Sequence, residues 1–197
     1  MLPPYCKSMQ GMPGYTGPEG DRWRAILGPD LMHIHHYCRG LRDVYYLTYT
    51  VVTPVQRRFL WNRAINEYDY MIRASRIDMP LMPEFYFRRG EALVMLGQLA
   101  EAEVAFQEAR RLKPSYAAAY AAWADQLMHL KLHDRAQALL LEGLQNAPGN
   151  AALLDRLQRL PDGKKLVAKL RRDWAAVAAS APDPASSSAS VAASQAQ

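Results

Sequence analysis

No stretch of about 18 consecutive apolar residues occurs in the 197-residue chain, which excludes a helix that crosses a membrane. Cysteine is nearly missing too. Cys6 and Cys38 alone are too few for a disulfide framework or a four-thiolate zinc site. They read either as free thiols or as one bridge tying the start of the chain to its first long helix. HExxH, P-loop, GxSxG and CxxCH patterns are all lacking, and Asp and Glu are scattered without an evident catalytic pair, so the chain reads as a non-enzyme with no cofactor. A large charge excess is lacking: Lys and Arg total 24 against 19 Asp and Glu, a net charge of +5. That balance helps an acidic partner approach, but nucleic-acid binding usually needs cations gathered on one surface. The first residues lack the basic and apolar regions of a signal peptide, leaving open a mature chain whose leader has been removed.

What is present suits a buried core, with 50% hydrophobic residues and 22% charged. Pro3, Pro4, Pro13 and Pro18, interleaved with Gly11, Gly14, Gly17 and Gly20, predict an irregular arm over residues 1–28. Within it a short helical turn around Asp21 to Leu27, carrying Trp23, is possible. Residues 181–197 lack aromatics and have a single charge, which predicts a disordered tail. Between these ends the apolar spacing is helical. The β-branched and aromatic stretch Tyr45 to Val52 has no partner strand and reads as a helix end before a loop near Thr53 and Pro54.

The chain repeats itself. Sliding residues 83–116 by 34 positions lays Tyr86 on Tyr120, Leu93 on Leu127, Ala102 on Ala136, Glu108 on Glu142 and Pro114 on Pro148. Gly90 falls on Ala124 and Phe106 on Leu140, each conserving size. The order Tyr86, Gly90, Leu93, Ala102, Phe106, Ala109, Pro114 resembles the tetratricopeptide family, and the second copy follows in phase. The physical logic is direct. Gly90 and Ala102 let two helices approach closely, Gly97 supplies a positive φ at the end of the first helix, and Pro114 stops the second.

A weaker copy lies upstream, over 33–78. His36 and Gly40 take the aromatic and small positions, and Ala64 and Tyr68 the Ala-x3-aromatic of the second helix. The gap from Gly40 to Ala64 is about twice that of the family. It predicts lengthened helices or an inserted loop over 46–58. Downstream, 151–179 reads as capping helices: a first cut short by Pro161, Asp162 and Gly163, then one with Leu166, Leu170, Trp174 and Val177 in a stripe. The resemblance thus implies an all-α, right-handed α-α superhelix over 29–180, with about three hairpins and a C-terminal cap.

Two other chemistries have candidate residues in the chain. His33, His35, His36 and Cys38 carry metal-ligating atoms, and a metal-binding or redox accessory protein is the alternative they suggest. On a helix, however, they split into two faces of two ligands each. His129 and His133 fall on either side of a turn. The cations Arg156, Arg159, Lys164, Lys165, Lys169, Arg171 and Arg172 read as a solvated face, since only Trp174 could stack a base there.

The resemblance implies that the concave face binds a partner. Carried over position by position, it gives Tyr37 and Leu41 from the weak copy, Phe87, Arg88, Glu91 and Met95 from the next, and Asp125, Met128 and His129 from the last. The family's clamp for acidic chaperone tails is not reproduced: its slots hold Tyr37, Leu41, Arg88, Ala118 and Ala122. The implied function is protein–protein interaction by a small scaffold, adaptor or assembly factor, holding a peptide or helix from a subunit of a larger complex. Tyr5, Met9 and Met12 could instead anchor the arm in that groove. An Ala- and Arg-rich composition suits a bacterial source, with the periplasm favoured slightly over the cytoplasm.

Overall fold

The computed structural model of the chain describes residues 2–180; the tail expected over 181–197 lies outside the described residues. Nine α-helices follow one another there: α1 (Pro18–Leu27), α2 (Ile34–Tyr49), α3 (Pro54–Ala74), α4 (Met82–Met95), α5 (Leu99–Leu112), α6 (Ala117–His129), α7 (His133–Asn146), α8 (Ala151–Gln158) and α9 (Gly163–Ser180). With no strand among the described residues, the fold is an all-α helical-repeat solenoid. Helices α2 and α3, α4 and α5, and α6 and α7 pair as hairpins, α8 packs on α6 and α7, and α9 packs on α8. No helix among the described residues is long and apolar enough to cross a membrane.

Each hairpin closes where a small residue of its first helix meets a bulky one of its second. A Cβ on Gly90 would stand 2.8 Å from the Phe106 ring, and one on Gly40 only 2.6 Å from the Tyr68 ring. In the third hairpin Ala124 and Leu140, both fully buried, take these places. Gly90 and Phe106 lie sixteen residues apart, as do Ala124 and Leu140, whereas Gly40 and Tyr68 lie twenty-eight apart. Length absorbs the difference: α2 and α3 have 16 and 21 residues where α4 and α5 have 14 each. The alternative of an inserted loop over 46–58 does not occur, because only residues 50–53 separate α2 from α3. A capping box starts α3 without slack. The Thr53 hydroxyl accepts from the Gln56 N–H, the Gln56 side chain accepts from the Thr53 N–H, and Pro54 takes the first helical position.

The turn inside the second hairpin recurs in the third. Gly97 N–H donates to Val94 O and Gln98 N–H to Leu93 O, both at 3.0 Å. Thirty-four residues on, Lys131 N–H donates to Met128 O at 3.0 Å and Leu132 N–H to Leu127 O at 2.9 Å. These paired bonds are the Schellman closure, whose pivot is left-handed. Gly97 has φ +76° and Lys131 has φ +61°. Glycine holds that conformation at no steric cost; lysine does not.

The arm differs from the irregular segment expected over 1–28. Pro4–Ser8, Pro13–Tyr15 and Pro29–His33 are 3-10 turns, and α1 has 10 residues. Its local signals outweigh the weak periodicity. Pro18 follows Gly17 at φ +99°, Glu19 and Asp21 complement the helix dipole, and Gly28 at φ +77° ends the helix. A disulfide between Cys6 and Cys38 ties the arm to α2 across 32 residues of chain, with the Cα atoms 5.7 Å apart. Asp30 adds a second tie by accepting from the Arg76 backbone N–H at 3.0 Å.

At the other end, α9 buries Val167 and rests Leu166, Leu170 and Trp174 against the core. Val177, expected in that stripe, is exposed instead. The 8 residues of α8 are too short to underlie all 18 of α9.

Two stability changes are expected. Lys131→Gly should raise the unfolding free energy by about 0.5–1 kcal/mol, measured by urea titration, because the pivot then carries no Cβ penalty. Reducing the Cys6–Cys38 bridge should lower it by about 3–4 kcal/mol, from the loop entropy regained by the unfolded chain. Thermal melts with and without reductant check this.

Candidate functional site

The first helices of the hairpins, α2, α4 and α6, line the concave side, and the arm divides that side in two. Toward their amino-terminal ends lie Tyr37, Glu84, Arg88 and Tyr116, and Tyr5 enters among them. Its ring stacks with Tyr37 at 6.5 Å between centroids and meets Trp23 of α1 edge-on at 5.5 Å. Burial first, then the negative charge of Glu84, holds the Tyr5 phenol well above its ordinary pKa, so it stays neutral. Tyr37 lies beneath it and donates to Glu84 Oε1 at 2.6 Å; burial and the same carboxylate raise its pKa. The disulfide at the next residue, Cys6, pins this insertion. Of the three anchors considered, Tyr5 is buried, Met9 half-buried and Met12 exposed.

The other half of the concave side is open and holds a cavity of about 400 Å³. Val44 of α2, Trp61 and Tyr68 of α3, and Phe106 of α5 form its apolar wall. Arg88, Glu91 and Met95 come from α4, and Ala122, Asp125 and Gln126 from α6. Arg88 Nη1 donates to Glu91 Oε2 at 2.9 Å, while its Nε stands 3.6 Å from Glu84 Oε1. Burial works against the Arg88 charge, but Glu91 and Tyr37 outweigh it and raise the pKa, so the group remains a cation. Glu91 is raised by burial, with Arg88 only partly offsetting it. Arg156 of α8 grips Asp125 through contacts of 2.7 to 3.0 Å.

Three of the residues that line this cavity each carry a buried polar atom without a hydrogen-bond partner: Trp61 Nε1, Tyr68 Oη and Arg88 Nε. Trp61 is 8% exposed and Tyr68 is 0%. All three can donate. A buried donor without an acceptor costs about 1–3 kcal/mol, which an acceptor that reached it would recover.

The residues expected to line the groove part company here. Arg88, Glu91, Met95 and Asp125 meet at the cavity. Phe87 does not: it is buried, with Phe106 at 6.0 Å and Tyr116 at 5.5 Å between centroids. Tyr37 is covered by the arm, and Leu41 and Met128 are half-buried against the core. His129 is exposed at the last residue of α6. Trp61, Tyr68 and Gln126 were not anticipated. For Tyr68 a signal existed: the equivalent positions hold Phe106 and Leu140, so its hydroxyl is surplus to filling the seam.

The histidines stay close, with the His35 and His36 rings 4.3 Å apart between centroids and His33 and His36 both against Tyr70, but each has another partner. Cys38 is bridged, and His36 Nδ1 pairs with Glu67 Oε2 at 2.5 Å beside Arg39, which donates to Glu67 Oε1 at 2.8 Å. His33 Nδ1 meets Tyr70 Oη at 3.1 Å, and His35 Nδ1 lies 3.1 Å from Met32 O. Among the described residues no three His, Cys, Asp or Glu gather to hold a metal ion.

Against known families, the tetratricopeptide repeat matches residues 83–116. The chain contains a tetratricopeptide repeat. No curated protein matches it. The matched tetratricopeptide repeat is α4, α5 and the Gly97 turn, the central hairpin of the three, and it supplies Arg88, Glu91 and Met95 to the cavity. A tetratricopeptide repeat supports a general role in protein–protein interaction.

Glu91 makes the electrostatics of this repeat testable. Its folded pKa lies above the unfolded value, so the native state takes up the proton first. As pH falls through the folded pKa toward the ordinary carboxyl value, the wild type should therefore gain stability relative to Glu91→Gln. Urea unfolding of both proteins across that window measures the difference.

Proposed function

We propose that this tetratricopeptide-repeat protein is a scaffold or assembly factor that holds an extended peptide or a helix end of a partner subunit in the cavity between α3, α4 and α6. The carrying observation is that three residues lining it, Trp61, Tyr68 and Arg88, each hold a buried donor without a hydrogen-bond partner, at Nε1, Oη and Nε. Backbone carbonyls are the acceptors a peptide brings in series. A helix middle satisfies its own carbonyls, but a helix C-terminus or an extended strand does not. Glu91 and Gln126 on the same wall can accept from the peptide N–H groups, and Val44, Val94, Met95 and Phe106 supply apolar contact. No cofactor enters this reading. The Cys6–Cys38 bridge favours an oxidising compartment, such as a bacterial periplasm, over the cytoplasm.

Tyr68→Phe tests the reading with little risk to the fold. The ring still fills the space against Gly40, and an unsatisfied buried hydroxyl is removed. The free protein should keep its stability or gain about 1 kcal/mol, while partner capture by crosslinking in the native host should fall about tenfold. Undiminished capture by a Tyr68→Phe, Arg88→Leu double variant would overturn the assignment.

A further inference from the structure

From 44 to 66, between the buried carboxylates of Asp43 and Glu67, the chain contains no Asp or Glu. This segment is the far end of the first hairpin, where α2 and α3 outrun the other repeats. It is also where large apolar side chains stand in water. Val51 at the turn is 100% exposed, Val55 79%, Tyr49 72% and Phe59 59%. Tyr45, Tyr46 and Tyr49 share the outer face of α2, and Val55 and Phe59 the outer face of α3. Each face is turned away from the seam between the helices, so apolar surface surrounds the hairpin end instead of lying along one side. Arg57 and Arg58 are exposed there, and neither makes an ion pair among the described residues. Arg57 and Arg58 also border a second cavity of about 600 Å³ at the base of the tip, with Asn62, Gln98 and Trp61 and without a carboxylate.

We propose that this hairpin end docks on an anionic phospholipid bilayer. The tyrosines, valines and Phe59 enter the interfacial layer, and Arg57 and Arg58 meet lipid phosphates. Three features select a lipid surface over a protein. A rigid protein face covers one side of a projection, whereas a fluid interface closes around all of it. Tyrosine suits the headgroup level, with an apolar ring and a hydroxyl left wet. A tip with free guanidinium groups and no carboxylate is attracted to a negative leaflet without internal opposition.

The test uses the full chain with vesicles of phosphatidylcholine, alone or mixed with phosphatidylglycerol, in a sedimentation assay. Binding is expected on the mixed vesicles only, falling steeply with salt. Tyr49→Ser with Phe59→Ser, both at exposed sites, should weaken it about tenfold. Arg57→Gln with Arg58→Gln should weaken it about tenfold and flatten the salt dependence. A polarity-sensitive dye on Val51→Cys, a single free thiol because Cys6 and Cys38 are bridged, should shift to the blue on mixed vesicles; the same dye on Gln145→Cys of α7 should not. Tyr68→Phe should leave vesicle binding unchanged, which separates this surface from the peptide cavity. No binding to mixed vesicles, binding that neither double variant weakens, or no shift at position 51 would overturn the proposal. So would tip variants that lose an acidic protein partner while the wild type ignores vesicles.

Discussion

The approach of Gly40 to the Tyr68 ring and of Gly90 to the Phe106 ring sets the spacing of the helices, and the groove follows from that spacing. Where a Cβ would stand less than 3 Å from a ring, no larger residue fits without pushing the helices apart. Held this close, the two helices of a hairpin act as one rod, and successive rods stack with their first helices on the same side. The concave side is therefore a product of close packing, not of the residues that line it. The same seam also delivers chemistry. A phenylalanine at position 68 would fill the seam alone, whereas the tyrosine adds a buried hydroxyl without a partner on a residue that lines the cavity.

The arm adds a second constraint. A groove open along its full length would expose Tyr37, Glu84, Arg88 and Tyr116 together. Tyr5 covers that half, and the bridge at Cys6 removes the entropy by which the arm would otherwise leave it. What remains is a cavity of about 400 Å³, room for a few residues and not for a long helix. The occupancy of one half thus limits the space left open in the other.

Much of this architecture was legible because the repeat encodes it locally. The 34-residue register placed α4 to α7 and the Gly97 turn from residue types alone. Lys131 shows how far that logic reaches: the closure forms again although the residue at its pivot is poorly suited to it, because the hydrogen bonds and the flanking core dictate the geometry. The arm was less legible, since short turns built on Pro and Gly leave no periodicity to read, and the placement of Tyr5 depends on contacts with α1, α2 and α4. The site was legible only in part. Family positions assume an empty groove, but Tyr37 lies under the arm and Phe87 packs against Phe106 and Tyr116 instead. Trp61 belongs to the second helix of its hairpin, on the register of Leu99 and His133, whereas the groove positions carried over lie on first helices.

Trp61 and Met95 border both the peptide cavity and the cavity at the base of the tip, so the two spaces adjoin. The distance between the two proposed surfaces follows from helix geometry. Phe59 and Tyr68 are nine residues apart on α3, which is about 13–14 Å along its axis. Extended chain covers that distance in about four residues. With the tip at the headgroups, a partner segment held on Tyr68 would lie within four residues of the membrane surface. The lengthening of the first hairpin then has a physical consequence. It projects the apolar end beyond the other repeats, which lets the tip reach a bilayer while the cavity stays in water.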